Sequence, residues 1–93
     1  METYVLIVPF TAERRDHYVK ILRSGDAAAR IHAIFELSQL LDEKAAQAIH
    51  EATKFDNVTP AFQRNRNSQL VEKLTAADVR VKAKRAIKTH DRK

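Results

Sequence analysis

Arg80, Lys82, Lys84, Arg85 and Lys88 crowd into one short stretch near the end of the chain, and Arg92 and Lys93 follow them. Just upstream, Arg64 and Arg66 are interleaved with Gln63, Asn65, Asn67 and Gln69. Lys and Arg neutralise phosphates, whereas Arg, Asn and Gln can present paired hydrogen bonds to base edges. This pattern makes Arg64, Arg66, Arg80, Lys82, Lys84, Arg85 and Lys88 the candidate nucleic-acid-binding residues. Positions 80, 84 and 88 recur at helical spacing and fall on one helix face. An ordinary solvated charged face has a similar composition, and the scarcity of acidic residues here is what favours an anionic partner. Residues 61–93 hold ten Lys/Arg against three Asp/Glu, whereas residues 1–60 hold seven against nine, so the net +5 is gathered at one end.

Other chemistries find less support. His17, His32, His50 and His90 fall on separate expected elements and form no ligand cluster. Glu13 with His17, and His32 with Glu36, have the i,i+4 spacing of an ordinary helix pair. Gly25 is the single glycine, so a glycine-rich phosphate loop is excluded, and neither a nucleophile elbow nor a zincin motif occurs. With no cysteine there is no disulfide or thiolate metal site, which fits a reducing compartment. The expectation is a non-enzymatic protein with no catalytic residue, metal or cofactor. The apolar run around Val5–Val8 is far shorter than the ~20 residues a membrane helix needs, and it lacks the flanks of a signal peptide. A soluble cytoplasmic protein that does not engage membranes follows from this reading.

The elements that must position the basic residues read as helices. One Gly and two Pro leave few tight turns, and 93 residues suit a single core. Residues 3–10 are β-branched and aromatic and read as a short strand or extended arm. No second strand is evident, so Tyr4, Val5, Leu6, Ile7 and Val8 are the candidate oligomerisation residues of a homodimer. Thr11 reads as the cap of a helix ending near Arg23. Gly25 reads as its left-handed C-cap, and Asp26 as the cap of the next helix. Residues 27–41 are apolar nearly all round, which places Ile34, Leu37 and Leu41 at the centre of a bundle. Asp42 caps a helix carrying Ala45, Ile49 and Ala52.

Arg30, Ala33, Leu37 and Leu40, then Ala45, Ile49, Ala52 and Asp56, give residues 26–56 a pattern that resembles a single HEAT-like repeat of the short bacterial type. The resemblance implies two antiparallel helices packed through small and leucine residues. A helix hairpin without repeat character has the same spacing, and a second copy shifted by 33 fails where Ala33 meets Arg66 and Ile49 meets Lys82. Farther on, Thr59 and Pro60 have the form of a cap and first helical residue, predicting a helix over 60–74. Its stripe of Phe62, Leu70 and Leu74 is interrupted by Arg66, which on that stripe would be a buried structural ion. Thr75 with Asp78 resembles a capping box opening a last helix lined by Ala76, Val79, Ala83, Ala86 and Ile87.

The sequence thus predicts one all-α domain over residues 1–93. Its parts are about five short helices with an N-terminal β-strand or arm (1–10), a central helix hairpin (26–55) and a basic helical half (60–90). The expected function is that of a small regulatory protein contacting DNA or RNA through the basic half. The alternative is an interaction adaptor whose HEAT-like hairpin and basic helix hold an acidic protein.

Overall fold

In the protein's structure, a computed structural model, residues 12–40 and 42–91 are described, the side chains of 89–91 excepted. The order is α1 (Ala12–Ser24), α2 (Ala27–Ser38), α3 (Glu43–Ala52), β1 (Ala61–Arg64), β2 (Leu70–Leu74) and α4 (Ala76–Asp91). The arm of Tyr4–Val8, the Thr11 cap and Leu41 lie outside the described residues.

Two of the helix starts follow from aspartates. The Asp26 carboxylate accepts from the Ala29 N–H at 2.9 Å, and that of Asp42 accepts from the Ala45 N–H at 3.1 Å. Each satisfies one of the donors a helix leaves unbonded at its first turn. At Thr75 the cap is one-sided: Asp78 reaches back to accept from the Thr75 N–H at 2.8 Å.

Gly25 joins α1 to α2, but not through a left-handed conformation, since no glycine has positive φ. The reason for glycine is space. A Cβ at this position would lie 2.8 Å from Ala29 Cβ and 2.9 Å from the Ile21 carbonyl oxygen. The two helices approach too closely there for any side chain.

The core runs through all four helices: Leu22 from α1, Ala27, Ala33, Ile34 and Leu37 from α2, Ala45, Ala48, Ile49 and Ala52 from α3, and Val79 and Ala83 from α4. Alanine predominates on α3, so its neighbours pack close to its backbone. Ile34 is 0% and Leu37 1% exposed, as the apolar pattern of 27–41 predicts. One side of α2 nonetheless meets solvent at Phe35, which is 49% exposed.

The expected all-α fold of about five helices is not what forms. Among the described residues there are four helices, and the strands lie at 61–64 and 70–74 as an antiparallel hairpin. Thr59 does not cap a helix; its backbone carbonyl accepts from the Ala27 N–H at 2.8 Å and so serves the start of α2. A helix over 60–74 would also have no apolar residue between Gln63 and Gln69 to bury, and short helices depend on such a face. Asn65 instead organises a turn. Its side-chain oxygen accepts from the Asn67 and Gln69 N–H groups at 2.9 and 3.0 Å, and Ser68 takes a φ of 62°.

Arg64 pairs with Leu70, Gln63 with Val71 and Phe62 with Glu72, and then a bulge leaves Lys73 without a partner before Ala61 meets Leu74. Ala61 and Leu74 pack against the core, whereas Phe62 to Lys73 are exposed. The hairpin therefore stands out from the bundle on its base, and the molecule measures 51 × 31 × 23 Å.

Leu37 tests this packing. Leu37→Ala should lower unfolding free energy by about 2–5 kcal/mol in urea denaturation. A loss below about 0.5 kcal/mol would mean that α2 is not the central element.

Candidate nucleic-acid interface

The seven candidate residues separate into three environments. Arg64 ends β1, and its guanidinium donates to the Ser68 carbonyl across the turn. Arg66 lies in the turn itself, exposed. It is not a buried ion on a helical stripe, because residue 66 belongs to no helix.

On α4 the division follows which side faces the bundle. Val79 and Ala83 point into the core, with Ala86 and Ile87 partly buried beside them. Arg80 flanks that seam and donates to the Phe55 carbonyl at 2.7 Å and to Asp56 at 3.4 Å. It thereby ties α4 to the segment that leaves α3. Lys82 flanks the other side, its ammonium 5.8 Å from the centre of the Phe35 ring. This cation–π contact covers part of an aromatic face otherwise in water. Arg80 and Lys82 are thus engaged by the bundle.

Lys84, Arg85 and Lys88 remain on the outer face, exposed and, among the described residues, in no ion pair. Arg66 shares this state. Arg92 and Lys93 lie outside the described residues.

Lys20 on α1 and Lys44 on α3 are exposed and, among the described residues, in no ion pair as well, but the arginines of the other helices are placed differently. Arg14 pairs with Glu36 at 2.8 Å, Arg15 with Asp42 at 3.5 Å and Arg23 with Glu51 at 3.2 Å, each joining α1 to a neighbour. Arg30 is 9% exposed, donates from Nε to the Gly25 carbonyl, and lies 5.0 Å from the Phe55 ring centre. Desolvation by burial lowers its pKa from the usual arginine value.

The exposed candidates thus come from two elements, the hairpin and α4. At about 1.5 Å per helical residue, Lys88 lies roughly 18 Å along α4 from the hairpin base. At about 3.3 Å per strand residue, Arg66 stands roughly 16 Å from that base on the hairpin. Asn67, beside Arg66 in the turn, reads in the sequence as one of the interleaved amides able to meet base edges, but not as one of the seven candidates, and its place in a turn was not foreseen. Its signal was the Asn-Arg-Asn-Ser run, a cluster of turn-forming residues between two β-compatible stretches.

Two of the described histidines, His17 and His32, flank the Tyr18 ring. His32 is 3.9 Å from Glu36 and forms an edge contact with Tyr18, whose ring meets His17 in the same way. Among the described residues no three His, Cys, Asp or Glu side chains form a group able to hold a metal. Among the described residues no helix is long and apolar enough to cross a membrane.

The two kinds of arginine should behave oppositely on substitution. Arg80→Ala should cost about 1–2 kcal/mol of stability by losing a charge-assisted bond to the Phe55 carbonyl. Arg66→Ala should change stability by less than about 0.5 kcal/mol. Paired urea melts check both values. No protein-family model, curated protein or solved structure matches this chain, so its candidate residues rest on their own geometry.

Proposed function

We propose that the protein is a small non-enzymatic regulator that binds nucleic acid, anchoring the phosphate backbone with Lys84, Arg85 and Lys88 on α4 and presenting Arg66 on the hairpin to the same partner. One observation carries the reading. Lys84, Arg85 and Lys88 lie within five residues of α4, and they and Arg66 are exposed and, among the described residues, in no ion pair. They are set in a stretch, 61–93, with only three Asp/Glu, whereas the exposed Lys20 and Lys44 lie in a stretch, 1–60, with nine. An unneutralised cationic surface attracts polyanions, and each phosphate it contacts releases counterions. Arg64, Arg80 and Lys82 support the elements that display these cations. A reducing, cytoplasmic setting suits a chain without cysteine.

A homodimer belongs to the proposal. Phe62, Leu70 and Val71 are 54%, 62% and 46% exposed on a two-stranded sheet. Such a sheet has two unpaired outer edges, and isolated hairpins are marginal in water. Residues 4–8 are the β-compatible segment available to pair with such an edge.

The test is binding of short DNA and RNA duplexes across a salt series. On B-DNA, log affinity should fall by about 0.9 per neutralised phosphate for each log unit of salt. Replacing Lys84 and Arg85 together with Ala should weaken binding to every sequence and flatten that slope by about 1–2 units. If the intact protein shifts neither DNA nor RNA at low salt and micromolar concentration, the reading is wrong. Stoichiometric binding of an acidic protein would then support an adaptor.

A further inference from the structure

The turn of the hairpin sorts its polar side chains into two sets. One set builds the turn. Asn65 accepts from two backbone N–H groups and donates to Gln69 Oε1 at 3.2 Å, and Arg64 donates to the Ser68 carbonyl. The backbone closes around them, with Asn65 N–H donating to the Gln69 carbonyl and Ser68 N–H to the Asn65 carbonyl, both at 3.0 Å. The other set, Arg66 and Asn67, occupies the apex. Both are exposed, and among the described residues neither side chain makes a hydrogen bond or ion pair. A turn fixed by its own side chains thus presents two donor-rich groups that it does not use.

We propose that this apex reads the major groove of double-stranded DNA, with Arg66 and Asn67 contacting purine edges while Lys84, Arg85 and Lys88 hold the backbone. The inference rests on the nucleic-acid reading above and assigns the partner and the reading element. Paired strands lie about 4.8 Å apart, and a two-stranded ribbon with its side chains fits a major groove about 12 Å wide. Arg pairs bidentately with guanine O6 and N7, and Asn with adenine N6 and N7. Because the turn is already ordered, little conformational entropy is lost on insertion.

Neighbouring features favour duplex DNA over other nucleic acids. The major groove of duplex RNA is too narrow for side chains to read. Single strands are held by stacking on aromatic rings, and the hairpin's one aromatic residue, Phe62, lies at the opposite end of β1 from the turn. Glu72, the only carboxylate between positions 57 and 77, pairs with Phe62 and so lies away from the apex. The outer face of α3 mixes Glu43 and Glu51 with Lys44, which suits a phosphate-lined groove less well than the hairpin does.

The full-length protein is tested against a randomised 20-base-pair DNA duplex pool, its separated strands and a duplex RNA, with dimethyl sulfate reporting guanine N7 in selected duplexes. The expected results are tightest binding to duplex DNA and protection of guanine N7. Replacing Arg66 and Asn67 together with Ala should lower duplex affinity roughly tenfold or more and abolish that protection. Arg66→Lys keeps the charge but not the planar fork, so it should lose guanine protection while retaining the salt slope. Tighter binding to RNA or single strands overturns the proposal. So does an apex double variant that binds and protects like the parent while the Lys84/Arg85 variant weakens, although backbone binding then stands. Failure of the intact protein to bind any of the three probes overturns both readings.

Discussion

The amino end of α2 has to satisfy its first N–H groups inside a packed molecule, and the route by which it does so sets where the rest of the chain goes. Asp26 takes the Ala29 N–H with its side chain and the Arg30 N–H with its carbonyl. Of the remaining two, Ala28 is exposed and Ala27 is buried, and the Thr59 carbonyl takes the Ala27 N–H, drawing the segment after α3 back across the helix start. Arg30 reinforces the same point, since its Nε meets the Gly25 carbonyl while its guanidinium rests on the Phe55 ring. Gly25 is what allows α1 to come this close. Chain segments distant in sequence meet here because an unbonded buried N–H is costly.

From that junction the two cationic elements depart. Thr59 is held against α2, so Pro60 leads directly into β1, and the hairpin leaves the bundle at Ala61 and Leu74. Arg80 binds the Phe55 carbonyl beside the Arg30 stack, which ties the first turns of α4 to the same region. The outward positions of α4 then carry Lys84, Arg85 and Lys88 into solvent. Structural and display roles are thus divided among chemically similar arginines by what lies within reach of each. Arg30 and Arg80 meet carbonyls of the junction, whereas Arg66 is exposed in the turn.

Much of the helical frame was legible in the sequence because its signals are local. Asp26 and Asp42 stand before apolar runs, and the burial of Ile34 and Leu37 follows from helical periodicity. The segment 60–74 was misread because Phe62, Leu70 and Leu74 happen to share helical spacing, and Thr59-Pro60 has the form of a helix start. The competing demand on the Thr59 carbonyl comes from Ala27, far away in sequence, and no local pattern reveals it. Gly25 was read through its conformational freedom, although the close approach of Ala29 and Ile21 decides its identity. The charge clustering in 61–93 was evident from composition. The removal of Arg80 and Lys82 from the displayed set depends on Phe55 and Phe35, partners that only the fold supplies.

The account depends most on residues 61–74 being a hairpin launched from the α2 junction. Nuclear Overhauser effects on the full-length protein measure this directly. The account predicts cross-strand contacts between Gln63 and Val71 and between Arg64 and Leu70, together with an Ala27 amide protected from exchange by the Thr59 carbonyl. Sequential amide–amide contacts running through 62–72, with a rapidly exchanging Ala27 amide, would show a helix in place of the hairpin and contradict it.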